Sequence, residues 1–244
     1  MTHTTRAIIL QSIKYGETSL VVSAYTELFG LQTYMVNAVR SSRKGSSKAA
    51  MFQPASILEL QVYHHEQKNM QRIREMSWAV LYDSVLTDVI NNSIALFMVE
   101  LLHHCLKQPE SNADLFAFVE DALIHLDKAP ANVAANFPLF FSLNLADFFG
   151  FKIHPDPKLG PPYFLDLQEG YFVKEMPRHP QFLAPDLALL TAELLMMRQP
   201  EEFAELHLNK QTRRTLLLAY EDYYALHVPG FRRLRTLQVL SEVL

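Results

Sequence analysis

Positive charge gathers in a polar segment near the start of the chain. Residues 40–48 contain no apolar side chain. Their four cations are Arg40, Arg43, Lys44 and Lys48. Because each cation can neutralise one phosphate and release its counterions, the segment is suited to the backbone of a nucleic acid. The alternative is a solvated hairpin whose charges face only water.

Three residues on the flanking strands extend this hypothesis. Tyr34 alternates with its neighbours so as to share the more polar face of a strand with Gln32, where it could stack a base for about 1–3 kcal/mol. A tyrosine packed inside a barrel is the alternative for the same spacing. Arg72 and Arg74 are two residues apart on the last strand, so we expect them to share a face.

A second basic set lies near the end of the chain. Lys210, Arg213 and Arg214 are spaced so that they fall on one face of a helix. Arginine binds carboxylates well, so this face could hold an acidic peptide; a phosphate track or an ordinary charged helix surface fits the same pattern. The full set predicted to bind a partner is Lys210, Arg213, Arg214, Arg232, Arg233 and Arg235.

Patterns typical of catalysis or metal binding are missing from the sequence. The histidine pairs at 64–65 and 103–104 are adjacent, whereas metal sites prefer spacings such as i, i+4. The seven glycines form neither a GxxxxGK[ST] nor a GxGxxG loop. Cys105, the single cysteine, lies on an apolar stripe typical of a buried thiol. We therefore predict no catalytic residues, no metal and no cofactor, and a protein that is not an enzyme.

Short strands must position the first basic segment, and helices the second. The predicted strands are Ala7 to Leu10, Ser19 to Tyr25, Leu31 to Val39, Ser56 to Tyr63 and Met70 to Met76. Five strands in so short a stretch favour a small closed barrel, the OB-fold. After Trp78, apolar residues recur at helical spacing. The sequence predicts an α+β protein with an OB-fold domain over 1–78 and an α-helical domain over 79–244.

Residues 154–185 interrupt the helical pattern. Prolines exclude a long helix there, and two apolar runs around Glu169-Gly170 predict a β-hairpin insert. The insert contains no cysteine.

The net charge of −4 is unevenly distributed. Residues 1–78 carry nine basic and five acidic side chains, and residues 206–244 carry six and three. Residues 79–205 carry seven basic against eighteen acidic side chains. Two basic ends around an acidic middle suggest separate surfaces for separate partners. No apolar run reaches the roughly 20 residues of a membrane span, so we expect a cytoplasmic protein.

Short segments spread in order along the chain carry a family resemblance. They are Ala7 to Thr18 with its Tyr-Gly-Glu turn, Phe29-Gly30-Leu31, Phe52-Gln53-Pro54, Phe149-Gly150-Phe151, Phe164-Leu165-Asp166, Glu169-Gly170 and Pro229-Gly230-Phe231. Together they resemble the bacterial recombination mediator RecO. Many relatives bind zinc through four cysteines in the insert. Because His154 and His179 alone do not complete such a site, we expect packing of Tyr163, Phe164, Tyr171 and Phe172 to hold the insert.

The resemblance implies a DNA repair and recombination mediator. It would bind single-stranded DNA, promote annealing of complementary strands and help load recombinase onto DNA coated with single-strand-binding protein. The implied partners are single-stranded DNA, RecR, the tail of single-strand-binding protein and the RecA pathway, with no membrane. An adaptor that binds only proteins remains the alternative.

Overall fold

The chain forms two compact units in the computed structural model, which describes residues 2–37, 48–154 and 163–244. The first unit spans Met1–Lys128 and the second spans Ala129–Leu244. The predicted barrel lies in the first unit together with two helices. That residues 1–78 form a domain of their own stays a prediction.

Five strands of the first unit close into a barrel in the order β1-β2-β3-β5-β4, which confirms the predicted OB-fold. The strands are β1 Thr2–Tyr15, β2 Ser19–Thr26, β3 Gly30–Val36, β4 Ile57–Tyr63 and β5 Gln71–Trp78. A short helix, α1 Lys48–Met51, precedes β4. Strand β1 is longer than predicted because its first half pairs with β4 and its second half with β2.

Alternate residues of β3 point into the barrel, and this corrects the prediction for Tyr34. Its side chain is 0% exposed within the core cluster, and burial raises the pKa of its hydroxyl. No base can stack on a ring buried in this way. The polar appearance of this face came from Gln32, whose buried amide donates to the Phe29 carbonyl at 2.8 Å.

Two helices, α2 Val89–Cys105 and α3 Ala113–Lys128, complete the first unit. The Asp127 carboxylate, near the end of α3, accepts hydrogen bonds from the backbone N–H groups of Asp83, Ser84 and Val85 at 2.8–2.9 Å. Although burial alone raises the pKa of Asp127, these hydrogen bonds hold it below its usual value. The carboxylate thereby ties the segment after the barrel to α3.

The barrel also contacts the segment that joins α2 to α3. The Tyr25 hydroxyl donates to the Asn112 carbonyl at 3.2 Å. Gly30 adopts a φ of +62°, and a Cβ there would collide with the backbone of Glu110. Only glycine fits this conformation and this close approach.

The second unit is helical, with an insert of three short strands. Its helices are α4 Ala131–Ala134, α5 Phe137–Phe148, α6 Pro185–Met196, a 3₁₀ helix Pro200–Glu205, α7 Lys210–His227 and α8 Arg235–Val243. Two residues, Ala135 and Asn136, separate α4 from α5. Pro138 lies in the first turn of α5, where its missing N–H costs nothing.

Strands β6 Phe164–Asp166, β7 Tyr171–Val173 and β8 Phe182–Leu183 form the insert in the order β7-β6-β8. The predicted hairpin is therefore present, with a third strand added. Tyr163 packs edge-on against Phe172, with ring centroids 5.1 Å apart, and Phe164 packs against Phe182 at 5.7 Å. Tyr171 alternates with buried Phe172 and is 55% exposed. Its ring nevertheless stacks on that of His154, with centroids 6.2 Å apart, so the predicted packing is present on one side of the ring.

None of the described helices is both long and apolar enough to cross a bilayer.

We predict that Asp127→Ala lowers the free energy of unfolding by about 3 kcal/mol, because it leaves buried N–H groups without acceptors. Asp127→Asn, which keeps one carbonyl acceptor, should lose less. Urea unfolding monitored by circular dichroism measures both variants, and equal stability of Asp127→Ala and the wild type would contradict this role.

Candidate nucleic-acid interface

A continuous row of side chains crosses the outer face of the barrel. Cross-strand pairing joins Ile13 to Val21, Val21 to Met35, Met35 to Arg72 and Arg72 to Tyr63. Directly paired residues project from the same face of a sheet. These five residues, here called the outer row, therefore form one band. At ~4.8 Å between strands, the band is about 19 Å long.

The outer row is apolar and aromatic, and it is accessible. Ile13 is 53% and Tyr63 is 43% exposed. The neighbouring row of Gln11, Ser23 and Thr33 is polar. An exposed aromatic ring next to a cation is the combination that binds single strands, since bases stack on the ring while phosphates meet the charge.

A groove of about 630 Å³ lies at the Tyr63 end of the outer row and is here called the first groove. It is lined by Met35, Tyr63, His65, Lys68, Met70, Gln71 and Arg72. Apolar surface from Tyr63 and Met70 thus lies close to the cations Lys68 and Arg72. The groove offers both a stacking platform and phosphate contacts.

Gln71 holds the loop between β4 and β5 in shape. Its buried amide accepts from the backbone N–H of His65 at 3.0 Å and donates to the carbonyls of His65 and Lys68 at 2.9 and 2.7 Å. These three bonds fix the backbone that carries Lys68. The cation at the edge of the groove is therefore placed by the barrel itself.

The sequence-predicted DNA-binding residues have different placements. Arg72 lies in the outer row, and Lys48 is exposed at the start of α1. Arg74 is the extra residue at a bulge in the pairing of β5 with β4; it is exposed, as Arg72 is, and its guanidinium lies 3.5 Å from the Glu75 carboxylate. Arg40, Arg43 and Lys44 lie outside the described residues.

Tyr63 is the member of the interface that sequence reasoning missed. It ends a strand in which Leu58, Leu60 and Val62 are buried. Strict alternation places Tyr63 outward, so that signal was present. The basic residues on and after β3 and on β5 are the more conspicuous feature of the sequence.

In the second unit, Arg213 does not act as a surface cation. Its guanidinium donates to the carbonyls of Leu208 and Leu244 at 2.9 and 3.2 Å, and burial lowers the pKa of the side chain. The prediction that Arg213 shares an open basic face with Lys210 and Arg214 is therefore wrong. The guanidinium instead ties the start of α7 to the end of α8.

Two of the remaining residues of the second basic set, Arg214 and Arg233, line a groove of about 670 Å³ between α7 and α8. Arg214 is exposed there beside Leu218 and Leu237. Arg233 also lines it, but binds the carboxylates of Glu221 and Asp222. Lys210 donates to the Glu242 carbonyl at 2.8 Å. Arg232 and Arg235 are exposed.

The described residues contain no set of three His, Cys, Asp or Glu side chains placed to hold a metal ion. In the insert, the His179 ring lies 3.1 Å from the Asp166 carboxylate. Burial raises the pKa of the Cys105 thiol.

Comparison with known proteins identifies the family. The model of "Recombination protein O N terminal" matches residues 1–82, and that of "Recombination protein O C terminal" matches residues 86–237. The chain belongs to the RecO family. Membership of this family indicates a role in DNA repair and recombination. The two matched regions also agree with the barrel and the helical parts described above.

Full-length relatives support the same family. A protein of Flavobacterium johnsoniae is 33% identical over 98% of both chains. One of Flavobacterium psychrophilum is 34% identical with the same coverage. One of Bacteroides fragilis is 31% identical over 100% of this chain and 99% of its own. All three are named DNA repair protein RecO.

Arg213→Ala should lower the free energy of unfolding of this RecO-family chain by about 2 kcal/mol, because it removes charge-assisted hydrogen bonds to two backbone carbonyls. Arg214→Ala is the matched control and should change stability by less than about 0.5 kcal/mol, as exposed substitutions do. Thermal and urea unfolding provide the comparison. Equal effects at the two positions would show that Arg213 has no structural role.

Proposed function

We propose that the protein binds single-stranded DNA along the outer row and acts as a recombination mediator. The observation that carries the proposal is the pair of Tyr63 and Arg72, which lie directly opposite each other on the exposed face of the barrel. One supplies a ring for stacking and the other a charge for phosphate. Neither reads the edge of a base, so the binding is independent of sequence.

Phosphate contacts would extend on both sides of this pair. Lys68 lines the first groove with this pair, Arg74 follows Arg72 by two residues in β5, and Lys48 begins α1. The segment with Arg40, Arg43 and Lys44 follows β3 in the sequence and adds three further cations. Each phosphate that these residues neutralise releases counterions and strengthens binding at low salt.

A mediator acts by binding DNA and partner proteins and needs no catalytic step. We infer that the protein is not an enzyme: it would hold single strands so that complementary strands can anneal, and it would help load recombinase at DNA coated with single-strand-binding protein. RecR, the tail of single-strand-binding protein and the RecA pathway are the proposed partners. Membership of a repair family supports this role.

Tyr63→Ala should weaken binding of a labelled oligothymidylate about tenfold, within the ~1–3 kcal/mol of one base–aromatic stack. Arg72→Ala should reduce the slope of log K against log salt by about 0.7, the value for one phosphate on a single strand. Fluorescence anisotropy at two or more salt concentrations measures both effects.

Tyr171→Ala is the matched control for Tyr63→Ala, because Tyr171 is a tyrosine of the second unit that is 55% exposed, against 43% for Tyr63. It should bind DNA as the wild type does. If the wild type shows no salt-sensitive binding at all, the protein is an adaptor that recognises only proteins.

We further propose that the acidic tail of single-strand-binding protein docks in the groove between α7 and α8. The groove combines apolar Leu218 and Leu237 with the exposed guanidinium of Arg214, the combination that an apolar residue with a free carboxylate requires. Glu221 and Asp222 already neutralise Arg233. Arg214 therefore carries most of the attraction.

Arg214→Glu should weaken binding of a labelled tail peptide by at least tenfold, because it replaces the attracting charge with a repelling one. DNA binding should stay within twofold of the wild type. Arg198→Glu, an equal charge change outside the groove, is the control. Unchanged peptide affinity in Arg214→Glu would place the tail elsewhere.

A further inference from the structure

A second groove adjoins the first on the same unit and has a volume of about 470 Å³. Its walls come from the turn between β2 and β3, the loop between β4 and β5, and the segment that joins α2 to α3. Lys68 and Gln71 line both grooves. The two grooves therefore meet at Lys68, whose backbone carbonyl accepts a hydrogen bond from Gln71.

The chemistry of the second groove suits a nucleotide. On one side, Phe29 and His64 are stacked with centroids 3.9 Å apart and planes 11° from parallel. On the other side lie Lys107 and Gln108. Aromatic rings, side-chain amides and two lysines line the groove together with one carboxylate, that of Glu66. Rings on which a base can stack and cations that can meet its phosphate are the features that a nucleotide needs.

The walls of this groove are fixed relative to each other. The segment that carries Lys107 and Gln108 is bonded to the barrel through Tyr25 and Asn112. It also packs against Gly30 so closely that no side chain fits between them. A cleft between rigid walls is pre-organised, which limits the entropy lost when a ligand binds.

We propose that the second groove binds further nucleotides of the same single strand. The strand would leave the outer row, cross Lys68 and continue into the cleft toward Lys107. This inference rests on the proposed function of the outer row. On this path the strand bends at Lys68 as it passes from the outer row into the cleft, and each base must leave its stack to enter. Both requirements disfavour duplex DNA.

The test uses the full chain and oligothymidylates of 4 to 16 nucleotides, which cover the range of site sizes known for single OB folds. Lys107→Glu should weaken binding of the longest strands about tenfold and leave the shortest unchanged, because short strands occupy only the outer row. Lys107→Gln should show the same dependence on length with a smaller effect. Lys128→Glu makes an equal charge change on the same unit outside both grooves and should have little effect at any length.

The two hypotheses fail in different ways. If Lys107→Glu matches Lys128→Glu at every length while Tyr63→Ala still weakens binding, the second groove is not on the path and the outer row stands. If Tyr63→Ala has no effect at any length, the outer row itself is wrong. If Lys107→Glu weakens all lengths equally, the strand does not enter the groove from the outer row. Thymidine monophosphate that binds the wild type as tightly as long strands do would assign the groove to a free nucleotide and overturn the proposal.

Discussion

Two residue pairs close the barrel: Tyr34 lies beside Gln71, and Met35 lies beside Arg72. This short parallel contact between β3 and β5 determines which of their side chains point into the barrel and which face solvent. It directs Tyr34 into the core and brings Met35 next to Arg72 on the surface. Without it, the outer row would stop at β3 and Tyr63 would be separated from the apolar surface of β1 and β2.

The same closure organises the loops at one end of the barrel. Gln71 begins β5, and its side chain holds the preceding loop through three hydrogen bonds. Lys68 is consequently placed between two grooves. The opposite wall of the second groove belongs to the segment between two helices, so the barrel and its helices build the cleft together.

Much of the fold could be predicted from the sequence, because period-two and helical spacing report directly on strands and helices. The sequence could not predict which face of β3 points into the barrel, because alternation separates two faces without showing which one is buried. The bulge at Arg74 in β5 could not be predicted either, because the spacing of apolar residues does not report a single extra residue in a strand. The role of Arg213 could not be predicted, because helical spacing indicates only the side of the helix from which a side chain projects. Its hydrogen-bond acceptors, the carbonyls of Leu208 and Leu244, come close to it only when the chain folds.

The insert of the second unit is held by rings and hydrogen bonds, with Tyr163 on Phe172 and the His227 ring 3.0 Å from the Leu167 carbonyl. Thiolates that ligate zinc are lost when peroxide oxidises them, and the surrounding fold then loosens. The insert of this chain offers no such thiolate to oxidise. Cysteine oxidation therefore has no target within this insert.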